Sequence, residues 1–155
     1  MTIVFAVTKV GELMAPHPTL IAPDATLQQA AKRMEAVDCG ALPVGTENKL
    51  VGIITDRDIV IRAIARGKIP AHEKVAGYMT PAVYTCREND TLEDAAKKMH
   101  QHKVSRLVVK NKEERVVGII SFGHIFRADA SAIEVANVVK HAAGPVYVER
   151  KQSCR

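Results

Sequence analysis

Short apolar runs alternate with polar turns along this chain, and the order of those runs recurs. Thr19-Leu20-Ile21 reads as a brief apolar strand, closed by the turn Pro23-Asp24-Ala25. Leu27, Ala30, Ala31, Met34 and Val37 follow at helical spacing and predict one buried helix face. Thr26 stands just before that stripe with Gln29 three places on, the spacing of a capping box. Asp38-Cys39-Gly40 predicts the helix end. Residues 41–44 read as a buried strand, Thr46-Glu47-Asn48-Lys49 as a turn, and Leu50-Val51-Gly52-Ile53-Ile54 as the returning arm of a hairpin. Thr55 opens a second helix, predicted to run through Ile59, Ile61 and Ile64 to about Ala65.

The same order returns later. Met14-Ala15-Pro16 recurs as Met79-Thr80-Pro81, a shift of 65 residues. At that shift Thr26, Leu27, Ala30, Ala31, Lys32, Met34, Leu42 and Val44 meet identical residues at Thr91, Leu92, Ala95, Ala96, Lys97, Met99, Leu107 and Val109. One inserted residue later, Val51-Gly52-Ile53-Ile54 matches Val117-Gly118-Ile119-Ile120. The second copy therefore reads as a strand at Val83-Tyr84-Thr85, a helix capped by Thr91, a hairpin over 106–109 and 116–120, and a last helix opened by Ser121. Each copy is β-α-β-β-α, a mixed α/β (α+β) unit. A sheet with both helices on one face leaves its other face bare, so the two copies are expected to pack sheet to sheet about a pseudo-twofold axis, with clefts between them.

These residues resemble a known family. Met14-x-Pro16, Thr26-Leu27-x-x-Ala30, Gly40-x-Leu42-Pro43-Val44 and Val51-Gly52-Ile53-Ile54-Thr55-x-x-Asp58 look like a CBS domain, and residues 79–125 look like another. Together they are similar to a CBS pair, or Bateman module, over about residues 10–128. The boundaries expected are an N-terminal extension at 1–9, repeat 1 at 10–65, a linker at 66–75, repeat 2 at 76–128 and a C-terminal extension at 129–155. The resemblance implies a non-catalytic regulatory module. Its ligand would be AMP, ATP, an NAD-like molecule or S-adenosylmethionine, held between the repeats, and binding would signal to an unidentified partner protein. It also implies a homodimer, a flat disc of four repeats.

An adenosyl ligand needs an acceptor for its ribose hydroxyls, positive charge or backbone N–H groups for any phosphates, and apolar walls for adenine. By resemblance, Thr55 and Asp58 contact ribose or phosphate, with Asp56 and Arg57 between them. Spacing alone is equally that of a helix cap with no ligand. Arg57 and Arg62 add positive charge, or are surface side chains. Gly52 within a strand marks close approach by backbone or ligand, or tight packing. The walls are expected from Thr19, Leu20, Ile21, Val83 and Tyr84, and from Ala41 and Pro43. The second repeat departs from the pattern: Ser121 keeps the hydroxyl, but His124 stands where Asp is expected, and imidazole replaces a two-oxygen acceptor poorly. Arg106 matches a phosphate-binding arginine of some family members, where repeat 1 has Ala41. One good site at Thr55 and Asp58 is thus expected, with a weak or empty one near Arg106, Ser121 and His124.

Composition narrows the picture further. Aromatic residues are only 4% of 155 and Trp is absent, so the core must come from aliphatic residues and Met. Lys and Arg exceed Asp and Glu by 22 to 17, spread along the chain, which reads as a solvated basic surface rather than a nucleic-acid footprint and would also suit a phosphorylated small ligand. Cys39, Cys86 and Cys154 form no metal or redox spacing and suggest a reducing compartment. The apolar start at residues 2–7 is too short to span a bilayer and lacks the basic flank of a signal peptide. A cytoplasmic protein is expected, not a membrane one. His100-x-His102 is not a metal pair, since positions two apart on a helix diverge. No nucleophile elbow, phosphate loop or dinucleotide fingerprint occurs, so no catalytic residue is assigned. The tail predicts a helix from Ala132 to His141 and a strand at Val146-Tyr147-Val148, able to pair with the apolar start or a second chain. The competing reading is a structural or interaction protein whose ligand site has decayed.

Overall fold

The computed structural model describes residues 7–127 and 132–142. In chain order the elements are α1 (Val10–Leu13), β1 (Ala15–Pro16), α2 (Leu27–Ala36), β2 (Ala41–Thr46), β3 (Lys49–Thr55), α3 (Asp56–Asp58), β4 (Thr85–Arg87), α4 (Leu92–His102), β5 (Arg106–Lys110), β6 (Val116–Ser121), α5 (Phe122–Arg127) and α6 (Ala132–Ala142). They fall into two compact units. One is His17–Val83 with Glu114–Val116; the other, among the described residues, is made of those up to Pro16, Tyr84–Glu113 and those from Val117 on.

In the first of these units, α2 forms where its cap and stripe dictate. Thr26 Oγ1 accepts the Gln29 N–H at 3.1 Å, and Gln29 Oε1 accepts the Thr26 N–H at 2.9 Å. Two N–H groups that no helical carbonyl reaches are thereby satisfied. Leu27, Ala30 and Met34 are buried against Ile21, Leu42, Val44, Ile54, Ile59, Ala63 and Val75. β2 and β3 pair antiparallel, with Leu42 opposite Ile54 and Val44 opposite Gly52, and a bulge after Val44. Gly45 turns that bulge with φ of 125°, a conformation that favours glycine. The expected first strand shortens to one residue: Ile21 bridges parallel to Val44, while Thr19 and Leu20 remain outside the ladder. On the other edge, Ile53 bridges antiparallel to Thr80, exchanging two backbone hydrogen bonds of 2.9 Å.

The residues just before Thr80 belong to this unit as well. The Gln28 N–H donates to Pro70 O at 3.1 Å and the Leu27 N–H to Glu73 O at 2.9 Å, so the chain at 70–75 closes the open end of α2. Val75 is fully buried and its N–H donates to Ala25 O at 2.9 Å.

The other unit repeats this plan with a fuller sheet, in the order β1-β6-β5-β4. Cys86 of β4 pairs parallel with Val109, and Ala15 of β1 pairs antiparallel with Ile119. β4 therefore starts two residues later than Val83, although Tyr84 O still accepts the Val108 N–H at 3.1 Å. Thr91 caps α4, with Asp94 in the place of Gln29. Val10 holds the place of Val75: it is fully buried and its N–H donates to Asp90 O at 2.9 Å. The core joins Val10, Cys86, Leu92, Ala95, Met99, Leu107, Val109, Ile120 and Ile125. At the repeat shift, these fall on Val75, Ile21, Leu27, Ala30, Met34, Leu42, Val44, Ile54 and Ile59. Burial pushes the Cys86 thiol up to about 12, which leaves it protonated and inert at neutral pH.

Two further expectations change. Ala31 and Val37, assigned to the buried face of α2, are exposed, whereas Ala96 of α4 is buried. The difference is α6, which packs on α4 and puts Val138 into the same core as Ala96. The helix opened by Thr55 is not regular. After α3 the Ile64 N–H reaches back five residues to Ile59 O, a wide turn over Ile59–Ala63, and Gly67 then ends the helix with φ of 70°. Ile59 is buried, but Ile61 and Ile64 are half exposed. The predicted tail helix is present as α6, while the predicted strand at Val146-Tyr147-Val148 lies outside the described residues, as does most of the apolar start.

Candidate ligand site

β3 ends where α3 begins, and the change of direction gathers polar side chains. Thr55 Oγ1 accepts the Asp58 N–H at 3.0 Å, and Asp58 Oδ2 accepts the Thr55 N–H at 3.0 Å. The capping reading of this motif is thus realised, and it uses one carboxylate oxygen. The other, Oδ1, faces the Arg62 guanidinium at 3.4 Å, longer than a charge-assisted hydrogen bond, and keeps acceptor capacity. Arg62 is occupied elsewhere too, donating to Tyr78 O at 2.9 Å and to Thr80 Oγ1 at 3.2 Å. It ties the head of α3 to the segment that pairs with Ile53. The four-residue spacing from Asp58 signals the ion pair in sequence; the contacts with Tyr78 and Thr80 are long range and leave no local pattern.

Asp56 and Arg57 are exposed beside this cap, and Asp56 Oδ1 accepts the Arg57 N–H at 2.7 Å. The Asp56 N–H donates to Gly40 O at 3.0 Å, and a Cβ at Gly40 would lie 2.9 Å from Asp56 Oδ2. Glycine there lets the β2 entrance approach the carboxylate. Ala41 is directly opposite Thr55 in the ladder and Pro43 opposite Ile53, both buried. Ile21 is closed within the core and donates its N–H to Pro43 O at 3.1 Å; Thr19 and Leu20 are half buried, and Leu20 O is held by Arg33. Within this unit, then, Ala41, Thr55, Asp56 and Asp58 come together, with Arg57 alongside. Val83 is half buried at the end of the unit.

Gly52 has a packing explanation. A Cβ there would meet Met79 Sδ at 2.6 Å and Thr80 O at 2.8 Å, so the glycine seats the Met79–Thr80 segment against β3.

In the other unit the equivalent turn is built differently. The Ser121 N–H donates to His124 Nδ1 at 3.2 Å, and the His124 N–H donates to Ser121 Oγ at 3.3 Å. The imidazole occupies the capping role that Asp58 fills in the first repeat. The Phe122 N–H donates to Ser105 O at 3.3 Å, as Asp56 does to Gly40. Burial, then the positive charges of Arg127 and Arg106, hold His124 below the usual imidazole value. Arg106, Ser121 and His124 therefore lie together, in cationic rather than acidic surroundings. Tyr84 instead stacks on His102, with ring centroids 4.0 Å apart and planes 16° from parallel.

The model of the CBS domain family matches residues 10–64 and again residues 75–131. The chain belongs to the CBS domain family. Its two CBS repeats are 32% identical over 118 residues to the CBS domain-containing protein YhcV of Bacillus subtilis, covering 76% of this chain and 83% of that one. The solved CBS domain pair of protein MJ0100, in complex with 5'-methylthioadenosine and S-adenosyl-L-methionine, is similar with a TM-score of 0.70 and 31% identity. That match covers 79% of this chain and 95% of the other. CBSX2 in complex with AMP is similar with a TM-score of 0.62 and 26% identity, over 77% and 93%. Among the described residues, no group of His, Cys, Asp and Glu is arranged to hold a metal ion, and no helix is long and apolar enough to cross a membrane.

Proposed function

We propose that this CBS pair is a non-catalytic sensor that binds one adenosyl ligand, with the ribose held at the Thr55–Asp58 turn. The observation that carries this reading is the Asp58 carboxylate. It is 14% exposed, fixed by the Thr55 N–H through one oxygen, and the other, facing Arg62 at 3.4 Å, keeps capacity to accept a ribose hydroxyl. Thr55 Oγ1 and Asp56 supply further polar groups at the same turn, while Arg57 and Arg62 supply positive charge for a phosphate. The buried Ala41 and Pro43 give an apolar boundary beside them. The ligands in the two similar CBS structures, methylthioadenosine with S-adenosylmethionine and AMP, share the adenosyl group and support this class. The reading extends to a cytoplasmic homodimer that signals to a partner protein. Val60, Ile61 and Ile64 in one unit and Phe126, Ile133 and Val139 in the other are exposed apolar side chains that a second copy would cover.

The second repeat favours the other reading, a decayed site, for its own half only. His124 closes the cap with its ring nitrogen and offers no carboxylate to a ribose.

Thermal denaturation with AMP, ATP or S-adenosylmethionine tests the proposal. A ligand at about 100 times its Kd stabilises by about 2.7 kcal/mol, a rise in Tm of about 5–10 °C for a chain of this size. Asp58→Asn keeps an oxygen for the Thr55 N–H and removes the charge. It is expected to change ligand-free stability by less than about 1 kcal/mol and to abolish the ligand-induced rise. A full rise in that variant contradicts the assignment.

A further inference from the structure

We infer that a groove beside the first turns of α2 is a binding site for a small dicarboxylate, separate from the Thr55–Asp58 turn. The groove has a volume of about 300 Å³ and is lined by Ala22, Ala25, Gln29, Lys32 and Arg33. Pockets for small molecules start at about this size. Its apolar part is two alanines, and its polar part is two cations and a carboxamide. Neither cation is in an ion pair among the described residues, although Asp24 and Glu35 stand close in sequence. Gln29 Oε1 is taken by the Thr26 N–H, which leaves the amide NH2 to donate. Arg33 Nη1 donates to Leu20 O, which holds the guanidinium in place with its remaining N–H groups unused. The end of the helix is not itself the site. The N–H groups of Leu27, Gln28 and Gln29 already donate to Glu73 O, Pro70 O and Thr26 Oγ1.

The other repeat shows what this groove lacks. At the shift of 65 residues, Ala25, Gln28 and Gln29 correspond to Asp90, Glu93 and Asp94, while Lys32 and Arg33 correspond to Lys97 and Lys98. There each cation has its own carboxylate: Lys97 Nζ lies 2.9 Å from Glu93 Oε1, and Lys98 Nζ lies 2.9 Å from Asp90 Oδ2. Asp90 Oδ2 also accepts the Arg87 N–H at 3.0 Å. Arg87 corresponds to Ala22, whose N–H finds no acceptor among the described residues. The first repeat thus keeps both cations and the backbone donor, and has neutral residues in place of all three carboxylates. Its backbone is the same. The Ala25 N–H donates to Ala22 O and Ala25 O accepts the Val75 N–H, as the Asp90 N–H donates to Arg87 O and Asp90 O accepts the Val10 N–H. A ligand carboxylate beside Ala25 therefore meets the Ala22 N–H and Arg33, the counterparts of the donors that hold Asp90. A second carboxylate meets Lys32, as Glu93 meets Lys97. Alanine at both 22 and 25 leaves room for the carbon chain between them.

The test is an NMR titration of the full chain at neutral pH with succinate, against sodium chloride at matched ionic strength. Succinate is expected to shift the amides of Ala22, Ala25, Gln29, Lys32 and Arg33 saturably, and chloride is not. Ala25→Asp puts the carboxylate of the other repeat on an equivalent backbone and is expected to abolish the response. Arg33→Gln is expected to weaken binding about fivefold, the upper range for one exposed ion pair. Asp58→Asn is expected to bind succinate as wild type does, so the adenosyl reading and this one fail separately. No saturable change, an equal response to chloride, a response centred on Thr55–Arg62, or full binding in Ala25→Asp overturns the proposal. Undiminished binding in Arg33→Gln overturns it as well, whether or not Ala25→Asp folds.

Discussion

Single residues explain most of what is particular to this CBS pair. Gly52 shows how a packing requirement and a ligand signal look alike in sequence. Its missing Cβ is filled by Met79 and Thr80 of the same unit, and the Thr80 atom in the way is a backbone carbonyl that cannot rotate aside. Gly52→Ala is expected to destabilise by about 1–3 kcal/mol, the usual cost of overpacking, measurable by urea denaturation; an unchanged midpoint contradicts the packing role. His124 shows the reverse. The sequence marks it as a poor substitute for a ribose-binding carboxylate, and that remains the expectation, but its service as a cap depends on which nitrogen faces Ser121, a detail of rotamer and tautomer. Arg62 is legible as an ion-pair partner of Asp58 and illegible as the tie to Thr80, because Thr80 lies eighteen positions further along the chain.

At the scale of elements, the local patterns predict what local forces decide. The capping boxes at Thr26 and Thr91, the stripe Leu27-Ala30-Met34, and the hairpin of β2 and β3 all follow from neighbours a few residues apart, and all form. What escapes is the first strand of each repeat and the shape of the helix after Thr55. Thr19 and Leu20 have strand-like sequence, yet only Ile21 finds a partner, and the missing edge is set by pairing across the fold. The helix after Thr55 widens at Ile59–Ala63, with Ile59 buried and Ile61 and Ile64 half exposed, a departure from regular geometry that no local pattern marks. For α2, Thr26→Ala removes the acceptor for Gln29 N–H and is expected to cost about 1 kcal/mol without altering ligand response, since the cap shares no hydrogen-bond partner with the Thr55–Asp58 turn. A loss several times larger would place Thr26 in a different role.

For the whole molecule, the relevant lesson is where a repeat becomes a folding unit. The family match begins its first repeat at residue 10 and ends it at 64, but the compact unit holding most of that repeat is His17–Val83 with Glu114–Val116, and residues 10–16 belong to the other unit. Val75, Met79 and Thr80 complete its core and its sheet edge, exactly 65 residues after Val10, Met14 and Ala15, which do the same for the other unit. Such pairing between distant segments has no signature in local periodicity. A fragment of residues 17–83 is therefore expected to give a cooperative melt, whereas residues 10–64, lacking Val75 and the Thr80 bridge, are expected to give none. Equal cooperativity in both fragments would contradict the assigned role of that arm.

The central claim is a single adenosyl site anchored by Asp58, and calorimetric titration of the purified protein with AMP and with S-adenosylmethionine tests it most directly. The account predicts that at least one of these binds with a stoichiometry of one per chain, and that Asp58→Asn weakens it at least about tenfold, as expected when a charge-assisted hydrogen bond worth about 1.5–3 kcal/mol is removed. Two equal tight sites per chain, or an affinity unchanged in Asp58→Asn, would contradict it.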